Sequence, residues 1–301
     1  MSRGAARRQG ARRLRRELAA LLLEVLLGTA ALACGDPREA AQAAIPDAAQ
    51  ARAGADTSRT GAQAGFPHEP GGFRTVSTWD WPAHEGGGWR WEGPNPVTGA
   101  YQEVVDGSAS PPPSGGAQVL QATYVAGSPA GSGAGRTFFP LRADEVFVGY
   151  WMRFDPDYRA SDNPGGNKMF FLITDPTRLF LAFRDIPTDR PRRNYNVYMS
   201  GFGPAPGNET WASPPYSIPL GAWHKVELHY RRSHEGARDG VLRIWVDDVQ
   251  RFGFTDLDNP HAVTNLYFEG THNGEYIGGE RRIPTSMHWQ VGRVHVSVPR
   301  G

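Results

Sequence analysis

The chain has 301 residues, with 32 Lys and Arg against 31 Asp and Glu, a formal net charge of +1 and a single cysteine. A balance this near zero, with no basic stripe, excludes a nucleic-acid footprint. One cysteine excludes a disulfide framework and a cysteine metal site, so stability rests on core burial, which a domain of more than roughly 200 residues can supply.

The N-terminus is set apart by composition. Arg3, Arg7, Arg8, Arg12, Arg13, Arg15 and Arg16 make a basic start, and Leu18 to Ala33 is a Leu/Ala run interrupted by Glu24. The run ends in Ala31-Leu32-Ala33-Cys34. This resembles a bacterial lipoprotein signal, which implies that residues 1–34 are a signal peptide and Cys34 the lipidated first residue of the mature chain. A membrane-spanning helix is the alternative, but the run is short for the roughly 20 apolar residues that a span needs. Residues 35–65 are Ala, Gly, Gln and Arg with almost no large apolar side chain. Such a segment cannot bury enough surface to fold and reads as a flexible tether. The expected localisation is therefore export, with contact to the membrane only through the lipid.

From residue 66 to residue 301, Trp, Tyr, Phe, Gly and Pro become common, and short strand-like runs recur between turn signals. That spacing predicts an all-β sandwich or barrel in one domain. Trp79, Trp81, Trp89 and Trp91 open it, and packing is the simpler role for them than sugar stacking. Gln118 to Val125 is a predicted strand. In Glu145 to Phe154, Val146, Val148, Tyr150, Met152 and Phe154 alternate with Phe147, Gly149, Trp151 and Arg153, as a strand with one buried face requires. Lys168 to Thr174, Leu179 to Asp185 and Asn194 to Ser200 are predicted strands. Val263 to Glu269 is another, THNGEYIGGERR reads as a polar loop, and Met287 to Val298 closes the domain.

The stretch WHKVELHYRRSHEGARDGVLRIWVDDVQ, Trp223 to Gln250, has the most specific pattern. Val226, Leu228 and Tyr230 alternate with Lys225, Glu227, His229 and Arg231; Leu242, Ile244 and Val246 alternate with Arg243, Trp245 and Asp247. Two such runs predict an antiparallel hairpin, with Gly240 supplying a positive φ at the turn. A strand W-H-x-V-x-L-x-Y followed by D-G-x-L-x-I-W-V-D resembles the hairpin of concanavalin A-like jelly rolls. That resemblance implies a jelly-roll β-sandwich of two antiparallel sheets, one of them concave and able to present its front to a carbohydrate. Asp247-Asp248 stands where Asp-Gly is usual. One fold hosts many functions, so the site must be argued separately.

Several predicted strands have one apolar face, with Arg153, Lys168, Arg184, Asn194, Asn196 and Tyr198 on the other. A solvated polar face accounts for this in any antiparallel sheet; a groove for an acidic polysaccharide is the sharper reading. The nearest resemblance is to jelly-roll alginate and glucuronan lyases, on Gly165-Gly166-Asn167-Lys168, Arg184 and the pair Tyr195 and Tyr198. Ala182 replaces a serine of that pattern, and the tyrosines are three apart rather than two. The resemblance implies a polysaccharide lyase cleaving a uronic-acid polymer by β-elimination, with Lys168, Arg184 and Tyr198 catalytic and Arg153, Asn194, Asn196 and Trp151 binding substrate. The alternative is a non-catalytic carbohydrate-binding module of the laminin G or lectin type. Glycoside hydrolysis needs two carboxylates facing one groove, and no such pair is visible. No His, Asp and Glu spacing is diagnostic of a metal. No cofactor is required, a structural calcium on Asp155, Asp157 and Asp162 stays open, and a monomer is expected.

Overall fold

The computed structural model describes residues 65–96, 98–161, 167–174, 177–185, 194–200, 210–212 and 216–301, with side chains described for these except 132 and 177–217. The signal-like segment and all but the last residue of the tether-like segment lie outside the described residues. In chain order the first strands are β1 Phe73–Trp79, β2 Arg90–Trp91, β3 Tyr101–Asp106, β4 Gln118–Tyr124, β5 Ser132–Gly133, β6 Thr137–Ala143 and β7 Glu145–Phe154. They continue as β8 Asn167–Thr174, β9 Thr177–Asp185, β10 Asn194–Ser200, β11 Thr210–Ala212, β12 Tyr216–Ser217 and β13 Trp223–Arg231. The last are β14 Gly240–Val246, β15 Val249–Leu257, β16 Val263–His272, β17 Glu275–Ile277, β18 Glu280–Arg282 and β19 Met287–Pro299.

Two large antiparallel sheets result, beside the small two-stranded pair of β17 and β18. The back sheet runs β15-β14-β13-β7-β19-β4-β3, with β1 also on β19; the front sheet runs β11-β10-β9-β8-β16-β6-β2, with β12 on β10 and β5 on β16. The core lies between them. The back sheet supplies Val148, Tyr150, Met152, Leu228, Tyr230, Leu242 and Ile244, and the front sheet Phe170, Leu172, Leu266 and Phe268. This is an all-β sandwich with the alternating inner faces that the sequence pattern requires. Trp81 and Trp89 are buried in the same core, their rings 5.7 Å apart, so these two tryptophans pack rather than bind. The last strand returns to pair with the first, Phe73 opposite Pro299.

The hairpin forms in the expected register, Leu228 opposite Ile244 and Tyr230 opposite Leu242. Its turn glycine differs from expectation. Gly236 carries the positive φ of the loop, at 72°, whereas Gly240 begins β14. Gly240 is needed for close approach: a Cβ there would lie 3.0 Å from the Leu257 carbonyl oxygen and 3.1 Å from the Ser233 nitrogen. The next turn explains Asp247-Asp248. Both have positive φ, 52° and 65°, as a two-residue type I′ turn demands, and Asp tolerates that region better than most residues. Asp247 is also fixed by its side chain, which accepts the Lys225 N–H at 2.9 Å and pairs with His224 at 2.7 Å.

Residues 66–69 lie against the outer face of the back sheet. Phe66 stacks on His295, His68 stacks on Trp245 with ring centroids 4.6 Å apart, and Glu69 pairs with His295 at 3.2 Å. His68 also donates its backbone N–H to Glu227 at 2.9 Å and approaches it through Nδ1 at 2.7 Å. As a result Lys225, Glu227 and His229, the polar phase of β13, are buried like the apolar phase.

Candidate functional site

The outer face of the front sheet carries the candidate site, and a β-bulge sets it. On β8, Phe170 and Leu172 belong to the core. Regular alternation would put Lys168 in their phase. Instead the β8–β9 register shifts between Lys168 and Phe170, so that Lys168 stands opposite Ala182 while Phe170 stands opposite Leu181. Met169 is the extra residue and is itself in the core. A bulge re-aims the strand in this way, and it moves Lys168 into the outer phase with Phe171. A matching shift on β16 places Thr271 opposite Lys168.

The same register extends across the sheet. Ala182 stands opposite Tyr198, and Arg184 opposite Asn196. Asn194 stands opposite Ser217. Lys168, Ala182 and Tyr198 thus occupy one row over β8, β9 and β10, with Arg184 and Asn196 one pleat further on. Of these residues only Lys168 has a described side chain, half-buried at the start of β8; those of Arg184, Asn194, Asn196 and Tyr198 lie outside the described residues.

Trp151 and Arg153 do not belong here. Both sit on β7 in the back sheet, in the phase opposite the core residues Tyr150, Met152 and Phe154. Arg153 donates to the Gly221 carbonyl at 2.9 Å and to Gln290 Oε1 at 3.4 Å. The whole sandwich separates it from Lys168, so the expectation that these two residues bind the same ligand as Lys168 is wrong. Strand alternation told which residues share a face within a strand, but not which sheet the strand joins.

The structure adds residues that the sequence pattern did not single out. On β16, Tyr267 lies in the outer phase and stacks on Phe171, centroids 5.0 Å apart. Arg136, just before β6, lies over the Tyr267 ring at 4.7 Å. Its Nε reaches Glu269 at 3.1 Å and its Nη1 reaches Glu92 at 3.3 Å. Burial works against the Arg136 charge, but Glu269, Tyr267 and Glu92 more than offset it and hold its pKa above the ordinary value. Glu269 also accepts the Thr271 hydroxyl at 3.2 Å, and so links this cluster to the strand position facing Lys168. The only hint in the sequence was the alternation of Tyr267 and Glu269 with Leu266 and Phe268.

Comparison with solved structures identifies the architecture. An alginate lyase, Aly36B, with a lysine and a tyrosine replaced by alanine and in complex with an alginate tetrasaccharide, superposes with a TM-score of 0.54 at 15% identity, covering 76% of this chain and 97% of that one. An endo-β-1,4-glucuronan lyase from Trichoderma reesei gives a TM-score of 0.49 at 14% identity, with 69% and 91% covered. An alginate lyase from Aplysia kurodai gives 0.49 at 13% identity, with 75% and 100% covered. No protein-family model matches the sequence, and no curated protein does. The chain has the jelly-roll fold of the first of these lyases; at such identity the likeness concerns the fold alone.

Among the described residues, two further groups of titratable side chains lie away from this face. His68, Glu227 and Asp248 bring their ligand atoms within 4.8 Å of one another on the outer face of the back sheet. Lys225 Nζ already lies 2.6 Å from Asp248 Oδ1 and 4.0 Å from Glu227 Oε2, so an ammonium supplies the positive charge there. His272 is buried at the end of β16, where Nε2 faces the Arg159 carbonyl at 2.7 Å and Nδ1 accepts the Gly274 N–H at 2.9 Å.

Proposed function

We propose that this is an exported polysaccharide lyase, anchored by a lipid on Cys34, that cleaves a uronic-acid polymer by β-elimination on the outer face of the front sheet. The observation that carries the reading is the shared row of Lys168 and Tyr198 with Arg184 one pleat away, produced by the bulge at Met169. In this reading a lysine, an arginine and a tyrosine on three adjacent strands serve one sugar unit. The fold likeness to the alginate lyase supports it, and that structure has a lysine and a tyrosine replaced in its alginate complex.

In this reading Arg184 and Lys168 neutralise the uronate carboxylate, which acidifies the proton at C5 by stabilising the charge that develops there. Tyr198 removes that proton as the general base. The C4–O4 bond breaks, a C4=C5 double bond forms, and a proton passes to the departing O4. Asn194 and Asn196 hold sugar hydroxyls. The test is a screen of residues 66–301 against uronic-acid polymers, following absorbance of the unsaturated product. Product formation supports the lyase; binding without product favours the non-catalytic carbohydrate-binding alternative.

A further inference from the structure

The outer face of the back sheet carries an ordered polar chain. Glu103 on β3 stands opposite Gln121 on β4, Gln121 opposite Gln290 on β19, and Gln290 opposite Arg153 on β7. Alternation with the core residues Ala122, Val291 and Met152, and with the inward-turned Gln102, puts all four on the outer face. Arg153 Nη1 donates to Gln290 Oε1 at 3.4 Å, Gln290 Nε2 to Gln121 Oε1 at 2.9 Å, and Gln121 Nε2 to Glu103 Oε1 at 3.3 Å. The direction is fixed at both ends, because a guanidinium can only donate and a carboxylate can only accept. Both amides are therefore oriented, and each bond polarises the next. One pleat away, Tyr101, Thr123 and His288 form a second row on β3, β4 and β19. Gln121 Nε2 also donates to Thr123 Oγ1 at 3.4 Å and so joins the rows, while His288 Nε2 lies 2.5 Å from Asp155.

A solvated sheet face can build such a chain with no ligand. What the chain leaves open is more particular. Glu103 Oε2, the second N–H of Gln290 and His288 Nδ1 take no part in these bonds. Beside them Tyr101 is 36% exposed, the one exposed aromatic side chain among the described residues of the two large sheets. Acceptor and donor groups thus flank an open ring. A sugar matches that set: its hydroxyls both donate and accept, and the C–H face of its ring stacks on an aromatic. The amides are held in place beforehand, so binding does not have to order them. The charges in the patch are Glu103 and Asp155 against Arg153 and His288. Positive charge does not exceed negative, so an acidic ring gains nothing there.

We propose that the outer face of β3, β4 and β19 is a second glycan site, which holds a neutral oligosaccharide without cleaving it. Tyr101 stacks on one sugar, and Glu103 and Gln290 bond its hydroxyls. Arg153 acts only by orienting the Gln290 amide. From β3 to β7 the rows span three strand spacings, about 14 Å, enough for a short oligosaccharide. The site lies across the sandwich from Lys168, takes no part in cleavage and does not depend on the lyase reading.

The experiment is calorimetric titration of the full chain with cellohexaose, mannohexaose and xylohexaose, and with an alginate hexasaccharide. At least one neutral probe should bind saturably. Tyr101→Ala and Glu103→Gln should each weaken it about tenfold, the factor that a lost ring contact or a lost charged hydrogen bond is worth. Tyr101 is exposed, and Glu103→Gln still offers Gln121 an oxygen, so neither change threatens the fold. Lys168→Ala, on the other sheet, should leave this binding as it is. Failure of all three neutral probes to bind overturns the proposal. Binding that Tyr101→Ala and Glu103→Gln leave intact also overturns it, as does binding that only Lys168→Ala removes. Tighter binding of the alginate hexasaccharide that Tyr101→Ala abolishes overturns the neutral class of ligand. No product is measured, so this outcome is separate from that of the lyase reading.

Discussion

The ring of Phe66 fills the space that a side chain at Gly149 would occupy: a Cβ there would lie 2.4 Å from the ring. The glycine in EVFVGYWMRF therefore exists for the segment that crosses the back sheet. Gly149→Ala forces the ring and the segment away and should cost about 1–3 kcal/mol. Phe66→Ala should cost about 3–5 kcal/mol. The two changes share one space, so the double variant should lose clearly less than their sum. Urea denaturation of the four proteins measures this, and strict additivity would show that the contact does not form.

The same contact shows where sequence reading succeeds and where it stops. Alternation in Val226, Leu228 and Tyr230 identified the core face of β13, because period two is a property of the strand itself. It also predicted a wet opposite face, and there it failed: Glu227 is buried because residues far away in the chain fold over it. Lys168 and Arg153 make the same point for the site. The bulge at Met169 is a mismatch between two strands, and the assignment of β7 to the back sheet is a matter of topology. Neither is encoded in the pattern of a single strand. The long polar loop expected at THNGEYIGGERR likewise contains a small hairpin, β17 with β18, turned by Gly278 and Gly279 at positive φ.

His272 and His224 should titrate in opposite directions. Burial pushes His272 down to about 4, only partly opposed by its bond to the Arg159 carbonyl. The ring is neutral when folded, so its contribution is complete above the unfolded value near 6.5 and is lost as pH falls toward 4. The loss is roughly 3 kcal/mol at most. For His224 burial also favours the neutral form, but the Asp247 carboxylate and the Pro219 carbonyl on its two nitrogens outweigh it and raise the pKa. That contribution is present below the unfolded value and disappears as pH rises through the raised folded one. NMR titration of the ring protons checks both directions, and His272→Gln should flatten the acid limb of the stability profile.

Leu242 and Ile244 lie wholly within the inter-sheet core. Replacing either with Ala should cost about 2–5 kcal/mol, because the methylenes leave a cavity that two packed sheets close only in part. Denaturant midpoints report this directly. Changes below half of about 1 kcal/mol at both sites would place the core elsewhere.

The proposed export rests on the Arg-rich start, the Leu/Ala run and the sole cysteine. Cys34→Ser removes the acceptor of the lipid and should release the protein from the membrane fraction into the soluble one. Fractionation of expressing cells checks this, and unchanged membrane retention counts against lipidation.

The groove makes the sharpest kinetic contrast, because two of the arginines first grouped together now belong to different sheets. In the proposed lyase Tyr198→Phe keeps the ring and removes the proposed proton carrier, so product formation should collapse while polymer binding persists. Removal of a positioned acid–base group typically costs about 10²–10⁴-fold in rate. Arg184→Ala removes the charge proposed to hold and polarise the carboxylate, so kcat should fall and KM should rise. Arg153→Ala lies across the sandwich, where its contacts are the Gly221 carbonyl and Gln290. It should leave kcat and KM unchanged, with at most a small loss of stability from those hydrogen bonds. Steady-state kinetics of the three variants on one cleaved polymer separates these cases. A drop in kcat for Arg153→Ala equal to that for Arg184→Ala would contradict the division between the sheets. Full activity in Tyr198→Phe would move the proton transfer to another residue of the front face.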